Sequence, residues 1–396
     1  MVEGTAGLAG LASLPSGAAG KSERLKITKV EIFQVVVPMQ DDIINSPEFN
    51  PDVLSEFPKL PKVIIKLHTD SGLVGIGETP RELPNAHRFG PRGYRRKEDL
   101  SPGYLGQGAL ENARHLEGQN VLDLNLPRLV LPDDMTRHAF EIALYDVVGK
   151  AFGWPVYQLL GGLAQDKIYV PYWCGRKNPV DAKRVAERAL KDGFTSLKMK
   201  GRPGDPIVDA VRAVQEVAPD LEINVDFNHY FETAEEFLPT GRALDEIGNM
   251  HTIEDPVGDL GELTKITEAL DTAITTTAWS REHLVEAARM GACDWINIRA
   301  QWPSLMSFVI EAAVAETFGM PCWHGSSHDL GIKDAAFIQA AAAAANCTLP
   351  CDIMSHQRVH DLLVEPINIK DSYVIVPHSP GLGVELDEDA VEKYSV

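Results

Sequence analysis

Lys198 and Lys200 stand two apart at the end of an apolar run, Leu197-Lys198-Met199-Lys200. Side chains alternate faces along a strand, so both ammonium groups point the same way. Two cations this close raise each other's energy, so at least one pKa is expected to fall. A lysine lowered in this way can take a proton near neutral pH. The next two apolar runs end in acids: Val225-Asp226-Phe227-Asn228-His229 and Ile253-Glu254-Asp255-Pro256. Asp226 and Glu254 facing one mouth would repel each other unless a cation lay between them, and carboxylate oxygens suit Mg²⁺. Singly, each acid could be a helix N-cap and each lysine an exposed strand end. Together they read as a polar site for a small carboxylate substrate.

Such a site needs a scaffold that gathers several strand ends. Strand-like runs are read at 168–173, 195–199, 222–227, 252–254, 273–277, 295–299, 321–324 and, more weakly, near Ile353. They recur at roughly the 20–30-residue period of a βα unit. Eight such units imply a closed parallel β/α barrel, whose chemistry sits at the C-terminal ends of the strands. A doubly wound open sheet would show a Gly-rich phosphate turn after its first strand, and the sequence has none. Upstream, 24–37 reads as a strand and 62–78 as a hairpin turning at Asp70-Ser71-Gly72. Two long irregular segments, 39–61 and 80–106, have the character of binding loops or lids. The second carries His87, Arg88, Arg92, Arg95 and Arg96, either a solvated surface or a grip on an anion. Residues 134–160 have helical apolar spacing, closed by Pro155 and Gly161-Gly162. Residues 367–396 return to strand-like alternation around Pro380-Gly381-Leu382-Gly383 and are expected to fold back onto the N-terminal part.

The 396 residues carry a formal net charge of −20, with 44% hydrophobic and 24% charged residues. A field of that sign disfavours nucleic acid and anionic membrane surfaces as partners. It also requires local positive charge wherever an anionic substrate binds. No run approaches the roughly 18 apolar residues of a membrane span. Five cysteines without CxxC spacing read as structural thiols in a reducing, cytoplasmic setting. The Ala/Gly/Ser-rich first residues lack the basic start and apolar core of a secretory signal and read as a flexible tail.

Lys-x-Lys, then Asp-x-Asn, then Glu-Asp-Pro at successive strand ends resembles the enolase superfamily, in its mandelate racemase and muconate lactonizing enzyme branch. The resemblance covers roughly residues 24–390, including Leu159-Leu160-Gly161-Gly162 and the closing Pro-Gly-Leu-Gly. It implies a modified (β/α)8 barrel of TIM type under an α+β capping domain built from both chain ends. The expected division is a tail at 1–23, the cap at 24–135, the barrel at 136–366 and a returning segment at 367–396. The resemblance also implies abstraction of the proton α to a carboxylate, with Lys200 as the base and Lys198 contacting that carboxylate. Asp226 and Glu254 would hold Mg²⁺, and symmetric homo-oligomers are common among such proteins.

The sequence departs from that pattern in three places. The family's third metal ligand belongs at the end of strand five, but 273–279 reads Ala-Ile-Thr-Thr-Thr-Ala-Trp. Mg²⁺ is therefore expected to bind weakly, to recruit another ligand such as Asn228 or water, or to be absent. Strand six ends in Arg299, a poor acid or base that binds carboxylates bidentately, and it is read as a substrate clamp. Strand seven runs Pro321-Cys322-Trp323-His324-Gly325-Ser326-Ser327-His328-Asp329. His324 is favoured as the second proton-handling group, with His328 close behind and Asp329 able to orient either imidazole. The preferred function is a sugar-acid dehydratase. Racemisation, epimerisation and cycloisomerisation are alternatives, as is a homologue that binds a small acid without turning it over.

Overall fold

The computed structural model describes residues 24–49, 58–82, 103–299, 304–326 and 328–396. The tail at 1–23, most of the Arg-rich segment (His87, Arg88, Arg92, Arg95 and Arg96 included) and Ser327 lie outside the described residues.

The N-terminal part is an antiparallel sheet, β1 (Ile27–Pro38), β2 (Lys59–Thr69) and β3 (Val74–Glu78). Helices α1 (Tyr104–Leu116) and α2 (Asp134–Phe152) cover one face. Alternation gives the sheet its buried side: Ile27, Val63, Ile65 and Leu67 join Leu105, Phe140, Leu144 and Val147 in one core. α2 approaches β3 so closely that a Cβ on Gly75 or Gly77 would lie 2.0 Å from the carbonyl oxygens of Ala143 or Ala139. Gly77→Ala is accordingly expected to destabilise the protein by about 1–3 kcal/mol through overpacking, read as a lower urea midpoint.

A short helix α3 (Val156–Leu159) leads to β4 (Lys167–Tyr169) and then to the barrel. Strand and helix alternate as β5 (Tyr172–Arg176), α4 (Pro179–Lys191), β6 (Ser196–Lys200), α5 (Ile207–Val217), β7 (Glu222–Asp226), α6 (Ala234–Asp245) and β8 (Met250–Glu254). They continue through α7 (Leu260–Thr267), β9 (Ala273–Ala278), α8 (Arg281–Met290), β10 (Trp295–Arg299), α9 (Leu305–Thr317), β11 (Cys322–Gly325) and α10 (Gly331–Ala343). Strands β5 to β11 form one parallel seven-stranded sheet in sequence order.

The strand expected near Ile353 is not regular. Its place is taken by an irregular stretch in which Asp352 N donates to His324 O at 3.1 Å and Cys351 N donates to Tyr169 O at 2.8 Å. The fold is thus a modified barrel with an irregular closing segment. β12 (Ile369–Lys370) pairs with β13 (Tyr373–Ile375), which pairs on its other side with β4, and α11 (Glu388–Tyr394) lies along β1, where Val396 N donates to Gln34 O at 3.0 Å. No helix among the described residues is long and apolar enough to cross a membrane.

Candidate active site

The sheet register aligns the charged strand ends. Lys200 pairs with Asp226, Asp226 with Glu254, and Glu254 with Thr275 across four neighbouring strands. Residues at i and i−2 share a face, so Lys198, Asn224 and Thr252 form a second row beneath the first. Lys200 Nζ donates to Asp226 at 2.5 Å. Lys198 Nζ lies 2.8 Å from Glu254, 2.9 Å from Asp352 and 3.9 Å from Asp226. Asn224 and Asn297 each donate to Glu254 at 2.8 Å.

This arrangement makes Lys198 a lysine whose pKa does not fall. Burial disfavours its charge, but the carboxylates of Asp352, Glu254 and Asp226 outweigh burial and raise its pKa well above the usual lysine value. Lys198 is therefore a fixed cation. For Asp226, burial opposes ionisation, yet Lys200 and Lys198 hold its carboxyl down at about 2. Glu254 goes the other way: burial and the charge of Asp226 push it up to about 7 against the pull of Lys198.

Oxygens of Asp226, Glu254 and Asp255, all buried, come within 4.8 Å of one another. That donor set fits a small hard dication such as Mg²⁺. Strand β9 contributes no acid. Its threonines instead hold Asp255: Thr276 Oγ1 donates at 3.1 Å, Thr277 N at 2.7 Å and Thr277 Oγ1 at 2.5 Å. Asp255 and Asn228 both have left-handed backbones, φ 48° and 47°, which turns the chain just past each strand end back over the mouth. Non-glycine residues held this way concentrate at functional sites. Asn228 lies against Asp226, donating through its backbone N at 2.7 Å and its amide at 3.1 Å.

The two candidate histidines are placed very differently. On β11, Trp323 pairs with Asn297 and faces the interior, with Lys198 Nζ 5.8 Å from its ring centroid. Alternation then turns His324 outward, where it packs at 4.7 Å from Phe337 and 6.1 Å from Phe308 beneath the helices. Burial lowers its pKa to about 4. An ordinary histidine in the unfolded chain titrates near 6.5, so His324 contributes stability that is complete above that pH and lost as pH falls through about 4. That dependence amounts to roughly 3 kcal/mol. His324→Leu is expected to flatten the decline of the urea midpoint between pH 7 and pH 4 while leaving proton transfer in place.

His328 sits edge-on to Trp173, ring centroids 4.7 Å apart, and Lys200 Nζ lies 5.6 Å from the same indole. Burial, Arg81 and Lys200 in turn lower its pKa well below the usual histidine value. Asp329 does not reach the mouth; its carboxylate is buried between Lys62 and Lys333. Arg299 lies over Trp279 at 5.0 Å, on the β9–β10 side. From the cap, Asp42 accepts from Tyr172 of β5 at 2.8 Å and the Phe49 ring lies 4.8 Å from the Arg176 guanidinium, so residues 41–49 lean on β5.

Sequence reasoning passed over Asp255, Asp352, Trp173 and Arg81. Asp255 was in view within Glu-Asp-Pro, but strand alternation alone assigns it to the wrong face. Asp352 comes from the segment whose strand signal was weakest.

Residues 181–390 match the family described as enolase C-terminal domain-like, and residues 55–161 match the mandelate racemase / muconate lactonizing enzyme N-terminal domain. The chain belongs to the enolase superfamily, mandelate racemase / muconate lactonizing enzyme branch. It is 24% identical to the N-succinyl-L-Arg/Lys racemase of Bacillus cereus over 94% of this chain and 98% of that one. It is 29% identical to a probable glucarate dehydratase of Streptomyces coelicolor, over 84% of each. Its fold matches the muconate lactonizing enzyme of Pseudomonas fluorescens with a TM-score of 0.81, at 22% identity, over 94% of this chain and 100% of that one. These relatives are isomerases and lyases, and this superfamily member is an enzyme of that broad type.

Proposed function

We propose that the protein transfers protons at the carbon α to a carboxylate, with Lys200 and His328 as the two proton-handling groups, and that the reaction is a racemisation or epimerisation. The observation that carries this reading is the shared border on Trp173, which brings a lysine and a histidine from opposite parts of the mouth to one place. Burial and the neighbouring cations Arg81 and Lys200 favour the uncharged imidazole of His328, the form that can accept a proton. Inversion at carbon needs a base on one face of the planar intermediate and a proton donor on the other: His328 would take the proton from one enantiomer while the Lys200 ammonium returns one, and the two would exchange roles for the other enantiomer. Lys198, kept charged by its carboxylate partners, would hold the substrate's carboxylate and does not exchange protons itself. Asp226, Glu254 and Asp255 would hold Mg²⁺, with Asn228 beside them, and a dication there would supply positive charge where the substrate's carboxylate gains electron density. Arg299 and Arg81 would contact the rest of an anionic substrate.

Dehydration of a sugar acid is the second reading, favoured by the likeness to the probable glucarate dehydratase. It requires His328 to be charged before it can expel a hydroxyl. The test is proton NMR in D2O with Mg²⁺, using both enantiomers of N-succinylarginine and D-glucarate as probes. Loss of the α-proton signal with inversion supports racemisation. Formation of a keto acid overturns it in favour of dehydration. Tight binding of a probe with no exchange would make the protein a non-catalytic acid binder. His328→Asn is expected to reduce exchange on one enantiomer by about 10²–10⁴-fold, and the same loss in His324→Asn would transfer the role to His324.

A further inference from the structure

Beneath the His328 loop lies a buried group of charges that the proton transfer itself does not use. Lys62 on β2 donates to Glu78 on β3 at 2.6 Å and to Asp329 at 2.7 Å. Lys333, in the first turn of α10, donates to the same Asp329 oxygen at 2.9 Å. All four side chains are fully buried. Two cations and two carboxylates leave no net charge, so the group is self-compensating.

Glu78 does more than pair with Lys62. Its Oε1 also accepts Leu330 N at 2.6 Å and its Oε2 accepts Lys333 N at 2.9 Å. A carboxylate from the cap therefore caps the N-terminus of the barrel's last helix, whose own first residues offer no side-chain cap. On the other side, Ser326 Oγ donates to Asp329 Oδ2 at 2.9 Å and accepts His328 N at 2.9 Å. His328 sits between these anchors with a left-handed backbone, φ 61°. A histidine in that region is strained, and such a conformation persists only where its surroundings over-determine it.

We propose that the Lys62–Glu78–Asp329–Lys333 group is a positioning device through which the cap sheet fixes the backbone of His328, and thereby its imidazole against Trp173. Lys62, Glu78 and Ser326 are then positioning residues for proton transfer on the His328 face. The inference rests on the reading that His328 handles a proton. Isolated buried ion pairs contribute little net stability, and replacing them with apolar residues is often neutral or favourable. What this group supplies is a single geometry: apart from the Lys62–Glu78 pair within the cap, its bonds end on the loop or on the helix behind it.

Glu78→Gln is the sharpest test. The amide keeps one acceptor for Lys62 and Leu330 N but turns an N–H₂ towards Lys333 N, so donor meets donor and the helix end is released. Ser326→Ala is the milder companion and serves where Glu78→Gln does not fold. Amide hydrogen exchange of the 326–334 segment is expected to rise about tenfold in both variants, with the strands β6 to β8 unchanged. With N-succinylarginine enantiomers in D2O, exchange on the His328 face is expected to fall by up to about 100-fold, the scale of a small misplacement. Exchange on the Lys200 face should stay within about twofold of wild type. Unchanged amide protection of 326–334 overturns the proposal, and so does an equal loss on both faces. If the wild-type protein exchanges no probe, the proposed reaction is wrong, yet amide exchange still decides whether the cap holds the loop.

Discussion

Lys200→Arg is expected to abolish α-proton exchange on the Lys200 face, by about 10²–10⁴-fold, while leaving the protein folded. The choice of arginine isolates proton transfer from charge. Lys200 is buried and donates to Asp226, whose carboxyl is held at about 2 chiefly by Lys200 and Lys198 against burial. Lys200→Ala would remove that cation and leave a buried carboxylate short of a partner, so lost activity would mix chemistry with electrostatic damage. Arginine retains a permanent positive charge that can still pair with Asp226, but it cannot give up its proton. Two outcomes are informative. Exchange within about tenfold of wild type in Lys200→Arg would show that Lys200 is only a structural cation. Loss in both variants, with unaltered thermal unfolding in the arginine form, assigns it as the base. Lys198→Arg makes the control: because Lys198 acts as a cation throughout, its arginine form should retain a larger share of the exchange.

The parts of the site that follow from strict periodicity were legible in the sequence. Strand ends recur with βα spacing, and alternation within Leu197-Lys198-Met199-Lys200 puts both lysines inside, where the register sets them beside Asp226 and Glu254. The same rule, carried to strand seven, turns His324 outward, because Trp323 is the residue paired with Asn297 on the inner face. Proximity to the strand end had suggested the opposite. What period-two reasoning does not reach are residues just beyond the strands. Asp255, Asn228 and His328 enter the mouth through left-handed backbones that no apolar pattern announces. The sign at Lys198 lies beyond that reasoning for a related cause. Two neighbouring cations lower each other's pKa, but Asp352, from an irregular segment distant in sequence, adds a carboxylate to Lys198 and reverses the sign. Asp329 looked like an imidazole partner from its place in the chain, yet two buried lysines, one of them from the cap, claim its carboxylate.

Asp255→Asn is expected to weaken Mg²⁺ binding by about 10–100-fold, measured by titration calorimetry on chelator-treated protein. With an acid missing from β9, Asp255 is the carboxylate whose oxygen comes within 4.8 Å of those of Asp226 and Glu254. Three threonine donors fix its orientation, so Thr277→Val should weaken binding in the same direction by a smaller factor. The affinity readout is independent of turnover, so it holds whether the reaction is racemisation or dehydration. Binding to the folded state also stabilises it, by about 2.7 kcal/mol at a hundredfold excess over the dissociation constant. Mg²⁺ should therefore raise the unfolding temperature of the wild-type protein and do so less for Asp255→Asn. Removing Mg²⁺ with a chelator should suppress α-proton exchange, and adding it back should restore it. Unchanged Mg²⁺ affinity in Asp255→Asn would exclude Asp255 as a ligand and shift the third position to Asn228. Lys198 and Lys200 already neutralise part of the charge of Asp226 and Glu254, so each carboxylate offers the ion less than an unpaired one would. A third carboxylate held outside that lysine pairing restores the attraction, which is why its removal should be felt first in affinity.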